Sequence, residues 1–438
     1  MSTLARGMAP RMRPLSPRRS AIVAALDIGT SKVTCLIGRL KPLAEGEAMR
    51  GRSHGIDVIG FGHTRAQGLK AGVIADLAPA EEAIRNAVDM AERAAGMEIA
   101  SVAVAFGGGR LGSESFAASV RLHGPRVEEG DIGRVLDAAS LHSVRGGRAV
   151  LHSLPIAYGL DQTSGIGDPR GMIGKVLSVD LHVITADLAA LKNLMLCVER
   201  CHLSVEGAIA APYAAGLAAL TGDEAELGAT VIDFGAGTTT AAVFANGHCL
   251  YVDGIAVGGH HITTDLARGL SLRIPEAERL KTLHAAVLAS SSDEHRMITI
   301  PAVEGIGRET PNATSLGQIV RMTCPRAEEI LEMLRDRLRA AEMLGPASRR
   351  VVLTGAAAEL TGLVELAGRM FKTGARLGRP LGVTGLDDDA HAPAFAVASG
   401  LLVYPQFAGR EHFEPRRRYG GSEGSYLVRV GRWLQESF

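Results

Sequence analysis

The feature that most constrains the fold is a short phrase that occurs twice. Leu26-Asp27-Ile28-Gly29-Thr30-Ser31-Lys32 follows an apolar run near the start, and Ile232-Asp233-Phe234-Gly235-Ala236-Gly237-Thr238 follows another in the second half. In each copy an apolar strand ends in Asp, glycine and hydroxyl residues follow, and a second apolar strand begins. The pattern predicts two β-hairpins with polar, sterically open tips.

The residue types at these tips suit a phosphate group. Glycine lets a ligand approach the backbone, successive turn amides form an anion-binding nest, and an Asp at a strand end can hold a cation or its water. Either tip alone would also fit an ordinary Asp-Gly hairpin turn. Two copies favour a pair of similar half-molecules that close on one nucleotide from both sides.

Composition limits the classes of protein to consider. A chain of 438 residues, 46% hydrophobic and 21% charged, suits a globular protein of two to four domains. Lys+Arg and Asp+Glu both number 47, so overall charge does not indicate a nucleic-acid partner. Five cysteines do not indicate a disulfide framework, and we expect a reducing, cytoplasmic compartment.

The chain shows neither a spanning segment nor a secretory signal. Apolar runs are too short for a transmembrane helix. The first twenty residues are basic, contain three prolines and lack an apolar core, so a disordered tail is predicted.

The pattern of apolar and polar residues along the chain predicts its domain organisation. Short alternating segments from about 101 to 180 indicate a small α+β unit inserted in the first half. In the second half, 290–323 is expected to be irregular, and helices are predicted over Pro325–Leu344 and Ala357–Met370.

Two further motifs lie in the second half. Val351 to Ala357 is an apolar strand, a glycine and a helix start, which suits a ribose or an α-phosphate and equally any strand-to-helix turn. Glu278 and Lys281 share one face of a helix that begins at Pro275; alone, they would also fit a solvated ion pair.

Together these parts resemble the actin-like ATPase superfamily, and within it the FtsA family of bacterial division proteins. The resemblance covers Ala21 to Phe438 and is carried by Leu26–Lys32, Gly171–Gly174, Asp180–Thr185, Val198–Cys201, Leu353–Gly355 and Gly424–Phe438. It implies an α/β, actin-like ATPase fold: two ribonuclease-H-like halves, a small α+β subdomain inserted in the first half, and a C-terminal amphipathic helix.

The resemblance also implies domain boundaries. The first half would comprise 21–100 and 181–222 with the insertion at 101–180, and 386–404 would close it. The second half would comprise 223–262 and 336–385, with an outer subdomain at 263–335. A disordered tail (1–20), a flexible linker (405–424) and a membrane-targeting helix (425–438) complete the chain.

By the same resemblance the ligands are ATP and Mg²⁺. Asp27 and Asp233 would face the metal. The triphosphate would be held by Gly29, Thr30, Ser31 and Lys32 on one side and by Gly235, Gly237 and Thr238 on the other. The adenosine would contact Glu278, Lys281, Gly355 and Ala356, although Ala356 departs from the Gly-Gly that is frequent there.

Hydrolysis is expected to be slow or negligible. Members of this superfamily with effective ATP turnover usually place a carboxylate or amide just before a Pro- or Ala-rich helix of the first half. That side chain orients the attacking water. Ala210-Ala211-Pro212-Tyr213 offers no such side chain, so no catalytic residue is assigned.

The C-terminal stretch has a pattern of its own. On a helix from Ser425, the apolar residues share one face: Tyr426, Leu427, Val430, Trp433, Leu434 and Phe438. Fourteen helical residues span about 21 Å, too short to cross a bilayer and suited to lying in an anionic membrane interface. A terminal helix docked on its own domain is the alternative.

The resemblance therefore implies an ATP-binding protein that self-associates, anchors FtsZ filaments to the cytoplasmic face of the inner membrane at the division site, and recruits other division proteins. The alternatives are a small-molecule kinase or a chaperone-type ATPase of the same superfamily. A pilus-assembly actin-like protein is a third, which would not be expected to carry the terminal helix.

Overall fold

The computed structural model describes residues 8–43, 51–108, 110–140, 146–290, 292–300, 312–345, 349–387 and 389–412. They form two compact units. The first comprises the described residues up to Gly112, of Gly147–Leu151 and of Ile184–Gly409; the second comprises the described residues of Ser113–Gly146 and His152–Val183, and 410–412. The sequence-predicted helix at 425–438 and the linker residues 413–424 lie outside the described residues.

The first unit begins with a three-stranded meander and a helix. The hairpin phrase lies between the first two strands, which pair antiparallel from Ala21–Leu40 to Ile28–Val33. The elements are β1 (Ala21–Ile28), β2 (Lys32–Pro42), β3 (His54–Arg65), β4 (Leu69–Lys70), β5 (Val73–Ile74), α1 (Leu77–Ala95) and β6 (Ser101–Phe106).

The predicted α+β insertion follows. Its elements are β7 (Gly112–Arg121), α2 (Glu129–Ala139), β8 (Arg148–Leu160), β9 (Thr163–Ile166) and β10 (Val176–Asp187). The strands form one sheet in the order β7-β10-β8-β9. Asp131 accepts the backbone N–H of Glu128 at 3.0 Å, which caps the start of α2.

The chain then completes the first half with α3 (Leu188–Glu199), β11 (Ser204–Ala210), α4 (Ala211–Ala219) and α5 (Gly222–Leu227). Asp187 caps α3, because its Oδ1 accepts the N–H of Ala190 at 2.9 Å.

The second half repeats the strand pattern and adds helices. Its elements are β12 (Ala229–Phe234), β13 (Thr239–Ala245), β14 (His248–Ile255), α6 (Gly259–Leu270), α7 (Ile274–His284), β15 (Met297–Ile300), β16 (Asn312–Ser315), α8 (Leu316–Ala340), β17 (Arg350–Thr354), α9 (Leu363–Phe371) and β18 (Gly374–Leu377). The final elements, β19 (Val383–Thr384) and α10 (Ala396–Val403), return to the first half, where β19 pairs with β3 and α10 packs on α4.

The two halves share one sheet topology. The first sheet runs β11-β6-β1-β2-β3-β19 and the second runs β14-β13-β12-β17-β18. In the first sheet the hairpin strands β1 and β2 pair antiparallel, and β1 pairs parallel with β6. In the second sheet the hairpin strands β12 and β13 pair antiparallel, and β12 pairs parallel with β17. The repeated phrase thus marks a repeated sheet, as the sequence predicted.

One helix begins nine residues earlier than predicted. α8 starts at Leu316, where the Ser315 hydroxyl accepts the N–H of Gln318 at 3.1 Å, and Pro325 lies inside it. Proline removes one backbone donor, which costs up to about 3 kcal/mol in a helix interior. Burial of an apolar stripe that includes Ile319, Val320 and Ala327 offsets this cost.

The helix predicted over Ala357–Met370 is two elements. A 3₁₀ turn covers Ala356–Glu359, and α9 starts only at Leu363.

The described parts of two segments expected to lack structure, 8–20 and 405–412, make specific contacts. In the basic N-terminal stretch, the N–H of Ala9 bonds to Val150 O at 2.9 Å and Met12 is buried. In the expected linker, the Glu411 carboxylate lies 2.9 Å from His152 Nδ1, and both side chains are buried. A few buried or hydrogen-bonded side chains hold these residues in place. The average composition of the segments does not predict such individual contacts. No helix in the described part of the chain is both long and apolar enough to cross a membrane.

Candidate functional site

The two hairpin turns are built in the same way. The N–H of Gly29 bonds to Lys32 O at 2.9 Å, and the N–H of Gly235 bonds to Thr238 O at 3.0 Å. These bonds close each turn behind its tip. Of the predicted phosphate-binding residues, Gly29, Gly235 and Thr238 therefore shape the turns rather than line open space.

The two tips touch each other. A Cβ built on Gly237 would lie 2.5 Å from Thr30 Oγ1, which is too close for any side chain. Helix α6 supports the second tip from below, since the N–H groups of Gly259 and His260 bond to Gly235 O and Ala236 O at 2.9 and 2.8 Å.

A cavity of about 940 Å³ opens beside the touching tips. Its walls come from both hairpins, the chain after β3, the starts of α6 and α7, and the 3₁₀ turn. Of the sequence-predicted site residues it is lined by Thr30, Ser31, Gly237, Glu278, Lys281 and Ala356. Sequence reasoning missed Arg65, Lys70, His260, His261, Glu359 and Thr361, which also line it.

Asp27 and Asp233 form a partly buried carboxylate pair at the strand ends. Burial raises the pKa of Asp27 to about 6, against the opposing charge of Lys32. Burial and the charge of Asp27 raise the pKa of Asp233 to about 7. A cation between two such carboxylates would relieve both effects. Within the described residues no group of three or more His, Cys, Asp or Glu side chains could hold a metal without other ligands.

Lys32 is directed away from the cavity. Its Nζ donates to Ala394 O at 2.7 Å and lies 3.4 Å from the centroid of the Phe395 ring. Burial lowers the pKa of Lys32 to about 8, and the charges of Asp27 and Asp233 oppose this shift. The ammonium group therefore joins the first hairpin to the segment before α10.

Glu278 and Lys281 belong to a network on the cavity wall. Lys281 Nζ donates to Glu278 Oε2 at 2.8 Å and to Thr263 Oγ1 at 2.9 Å, and the Thr263 hydroxyl donates to the same Glu278 oxygen at 2.5 Å. The Lys281 side chain is only 13% exposed, so this is not an ordinary solvated pair. Thr263 is fully buried on α6 and gave no signal in the sequence.

Only part of the strand-to-helix motif at 351–357 lines the cavity. Gly355 is buried, with its N–H bonded to Pro393 O at 3.0 Å, whereas Ala356 is exposed and lines the cavity. Because the chain interrupts its helix at 360–362, Leu360 and Thr361 also face the cavity. Ala210–Tyr213, at the junction of β11 and α4, is buried and does not line it.

Two sheets of one topology, with touching hairpin tips beside a shared cavity, define an actin-like ATPase fold. Solved structures agree. A PilM-PilN type IV pilus biogenesis complex matches with a TM-score of 0.59 at 16% identity, covering 88% of this chain and 98% of that one. MreB 5 of Spiroplasma citri bound to AMPPNP matches with a TM-score of 0.52 at 14% identity, covering 92% and 98%.

Sequence comparison identifies the family. The model of the cell division protein FtsA matches residues 230–400, and the model of the SHS2 domain inserted in FtsA matches 108–185. The cell division protein FtsA of Agrobacterium fabrum is 50% identical over 436 residues, 98% of each chain. The chain belongs to the FtsA family. This confirms the predicted family, the actin-like fold and a place in cell division.

Proposed function

We propose that this protein binds Mg²⁺-ATP in the cavity between its two halves and, in that state, self-associates and links FtsZ filaments to the cytoplasmic face of the membrane at the division site. The observation that carries the proposal is the meeting of the two hairpin tips, Thr30 with Gly237, beside one cavity of about 940 Å³. A volume of this size suits a ligand as large as a nucleotide.

The lining suggests the orientation of the nucleotide. The tips at Thr30, Ser31 and Gly237 would face the triphosphate, because open turns accept anions. Glu278 and Lys281 line the same cavity from α7, where they would hold the ribose and adenine, together with Ala356 from the 3₁₀ turn. AMPPNP, the ligand named for the MreB 5 structure, is an ATP analogue, which supports this class of ligand.

Asp27 and Asp233 would bind Mg²⁺, either directly or through bound water molecules. Burial raises the pKa of both carboxyls, and the charge of Asp27 also raises that of Asp233, so both would gain from a bound divalent cation. Phosphate oxygens and water would supply the remaining ligands, since Mg²⁺ usually keeps several waters.

Turnover would be slow. The acidic side chains that line the cavity are Glu278, which is bound by Lys281 and Thr263, and Glu359. Residues 210–213 supply no carboxylate. We expect ATP to set a conformation, and steady-state hydrolysis faster than about one per second would contradict this.

The membrane contact would be made by 425–438, which would lie in an anionic interface through Tyr426, Leu427, Val430, Trp433, Leu434 and Phe438. The protein would then recruit other division proteins to the site.

The decisive experiment is co-sedimentation of the full chain with anionic liposomes, with and without Mg²⁺-ATP and FtsZ. Wild type should pellet and should carry FtsZ with it more efficiently with ATP. Trp433→Glu should abolish pelleting, whereas Gln435→Glu adds the same charge on the other face and should not. Pelleting that survives Trp433→Glu and deletion of 425–438 would refute the anchor. ATP turnover that requires a small-molecule acceptor would favour the kinase alternative.

A further inference from the structure

We propose that Arg65 and Lys70 supply the positive charge that faces the phosphates of the bound nucleotide. The inference rests on the proposed function. It assigns to these two residues the contact that the sequence pattern suggested for Lys32.

Both cations line the cavity next to the first hairpin tip. Arg65 is the last residue of β3 and pairs with Lys32, the first residue of β2. Lys70 is the last residue of β4, which pairs with β5 in a two-stranded ribbon. Thr30 and Ser31 belong to the same wall, so the two cations share the phosphate end of the site.

Hydrogen bonds fix this stretch to the tip. The N–H of Ala66 bonds to Ser31 O at 2.9 Å, and the N–H of Gly72 bonds to Thr30 Oγ1 at 3.0 Å. Ala71 and Gly72, with φ of 49° and 74°, form the two-residue turn between β4 and β5. Left-handed residues at both positions give a turn whose twist matches its strands. The backbone that carries both residues is therefore held beside the tip.

The other lysines near the site already have partners. Lys32 Nζ is bonded to Ala394 O and covered by the Phe395 ring, and Lys281 is paired with Glu278. Arg65 and Lys70 are exposed, and neither side chain has a hydrogen bond or ion pair with another residue in the described ranges. Their charge is thus available to an anion, and Arg can bind phosphate oxygens in a bidentate manner.

The test is nucleotide affinity of the full chain with Mg²⁺, measured by competition against a fluorescent ATP analogue. Arg65→Gln and Lys70→Gln should each weaken ATP binding about tenfold, the value of one charge-assisted hydrogen bond. The affinity for ADP should fall less than the affinity for ATP, and the affinity for adenosine should not change. Arg65→Lys should retain part of the affinity. The double variant should also show a weaker dependence of ATP affinity on salt.

The matched control is Arg39→Gln, which removes an exposed arginine of β2 that does not line the cavity. It should bind ATP as wild type does. If the double variant keeps wild-type ATP affinity and salt dependence, the inference is wrong. If wild type itself fails to bind ATP, the proposed function fails first. Thermal unfolding is measured for each single variant and for the double variant. If one single variant fails to fold, the other single variant still tests the inference.

Discussion

Arg376 and Glu224 form an ion pair at the connection between the two halves. Glu224 lies on α5, between the last helix of the first half and the first strand of the second, and Arg376 Nε donates to its Oε1 at 2.7 Å. Arg376 Nη2 also donates to Ala219 O at 2.8 Å, at the end of α4. One guanidinium of β18 thus holds the segment that connects α4 to β12.

Removing this pair should destabilise the protein. Burial would raise the pKa of Glu224, but hydrogen bonds from Arg376, the Thr221 N–H and Arg350, together with the charge of Arg376, lower it to about 2. A lowered pKa contributes stability above about pH 4.5, and this is lost as the pH falls towards 2. Glu224→Gln should therefore reduce the free energy of unfolding at pH 7 by about 2–4 kcal/mol.

Urea unfolding at pH 7 and at about pH 3.5 measures this effect, and the difference from wild type should shrink at the lower pH. Glu365→Gln, at an exposed position of α9, is the control and should cost under about 0.5 kcal/mol. Equal stability of Glu224→Gln and wild type at pH 7 would contradict the role of the pair.

The contact between the hairpin tips should limit substitution at Gly237. Gly237→Ala places a methyl group within 2.5 Å of Thr30 Oγ1 and forces the tips apart. Overpacking of this kind costs about 1–3 kcal/mol, so ATP affinity should fall at least about fivefold. Isothermal titration with Mg²⁺-ATP measures the loss. Gly374→Ala, where nothing lies within 4 Å, should bind normally.

The Asp27 and Asp233 pair should make stability depend on pH when divalent cations are absent. A carboxyl whose folded pKa is raised contributes stability at low pH that is lost as the pH rises through that pKa. For Asp233 the loss should begin near pH 4 and be complete by about pH 7. Asp233→Asn should thus be more stable than wild type by about 2 kcal/mol at pH 8 in EDTA, with no difference below about pH 4.

Denaturant unfolding across this pH range checks the sign, with Asp180→Asn, at an exposed position, as control. Saturating Mg²⁺-ATP should stabilise wild type and leave Asp233→Asn largely unchanged. If Asp233→Asn is less stable than wild type at pH 8 in EDTA, the electrostatic account of the pair is wrong.

Thr263 should position Glu278 and Lys281 in the cavity wall. Thr263→Val leaves Glu278 and Lys281 without their shared hydroxyl, so affinity for ATP and adenosine should both fall about tenfold. Thr263→Ser keeps the hydroxyl and should restore binding. Thr264→Val, on the next residue of α6, is the control. A loss confined to ATP, with adenosine binding intact, would contradict this placement.

The sequence predicted the parts of the site that depend on local spacing. The hairpins around Gly29 and Gly235 and the pairing of Glu278 with Lys281 all rest on residues a few positions apart. Arg65 was missed because it lies outside the two hairpin phrases; the alternation of buried and less buried residues along β3 through Thr64 was the available signal. The Ser315 cap of α8 was overlooked because Pro325 suggested a helix start.

The sequence by itself determined that two similar halves exist and which family they belong to, since the repeated phrase and the other motifs lie along the chain. Only the tertiary structure decided where the charges point. Lys32 turns to Ala394 and Phe395, more than three hundred residues away, and so leaves the cavity wall to Arg65 and Lys70. Backbone turns follow from neighbouring residues, whereas the direction of a long cationic side chain follows from whatever distant segment offers it a carbonyl or an aromatic face.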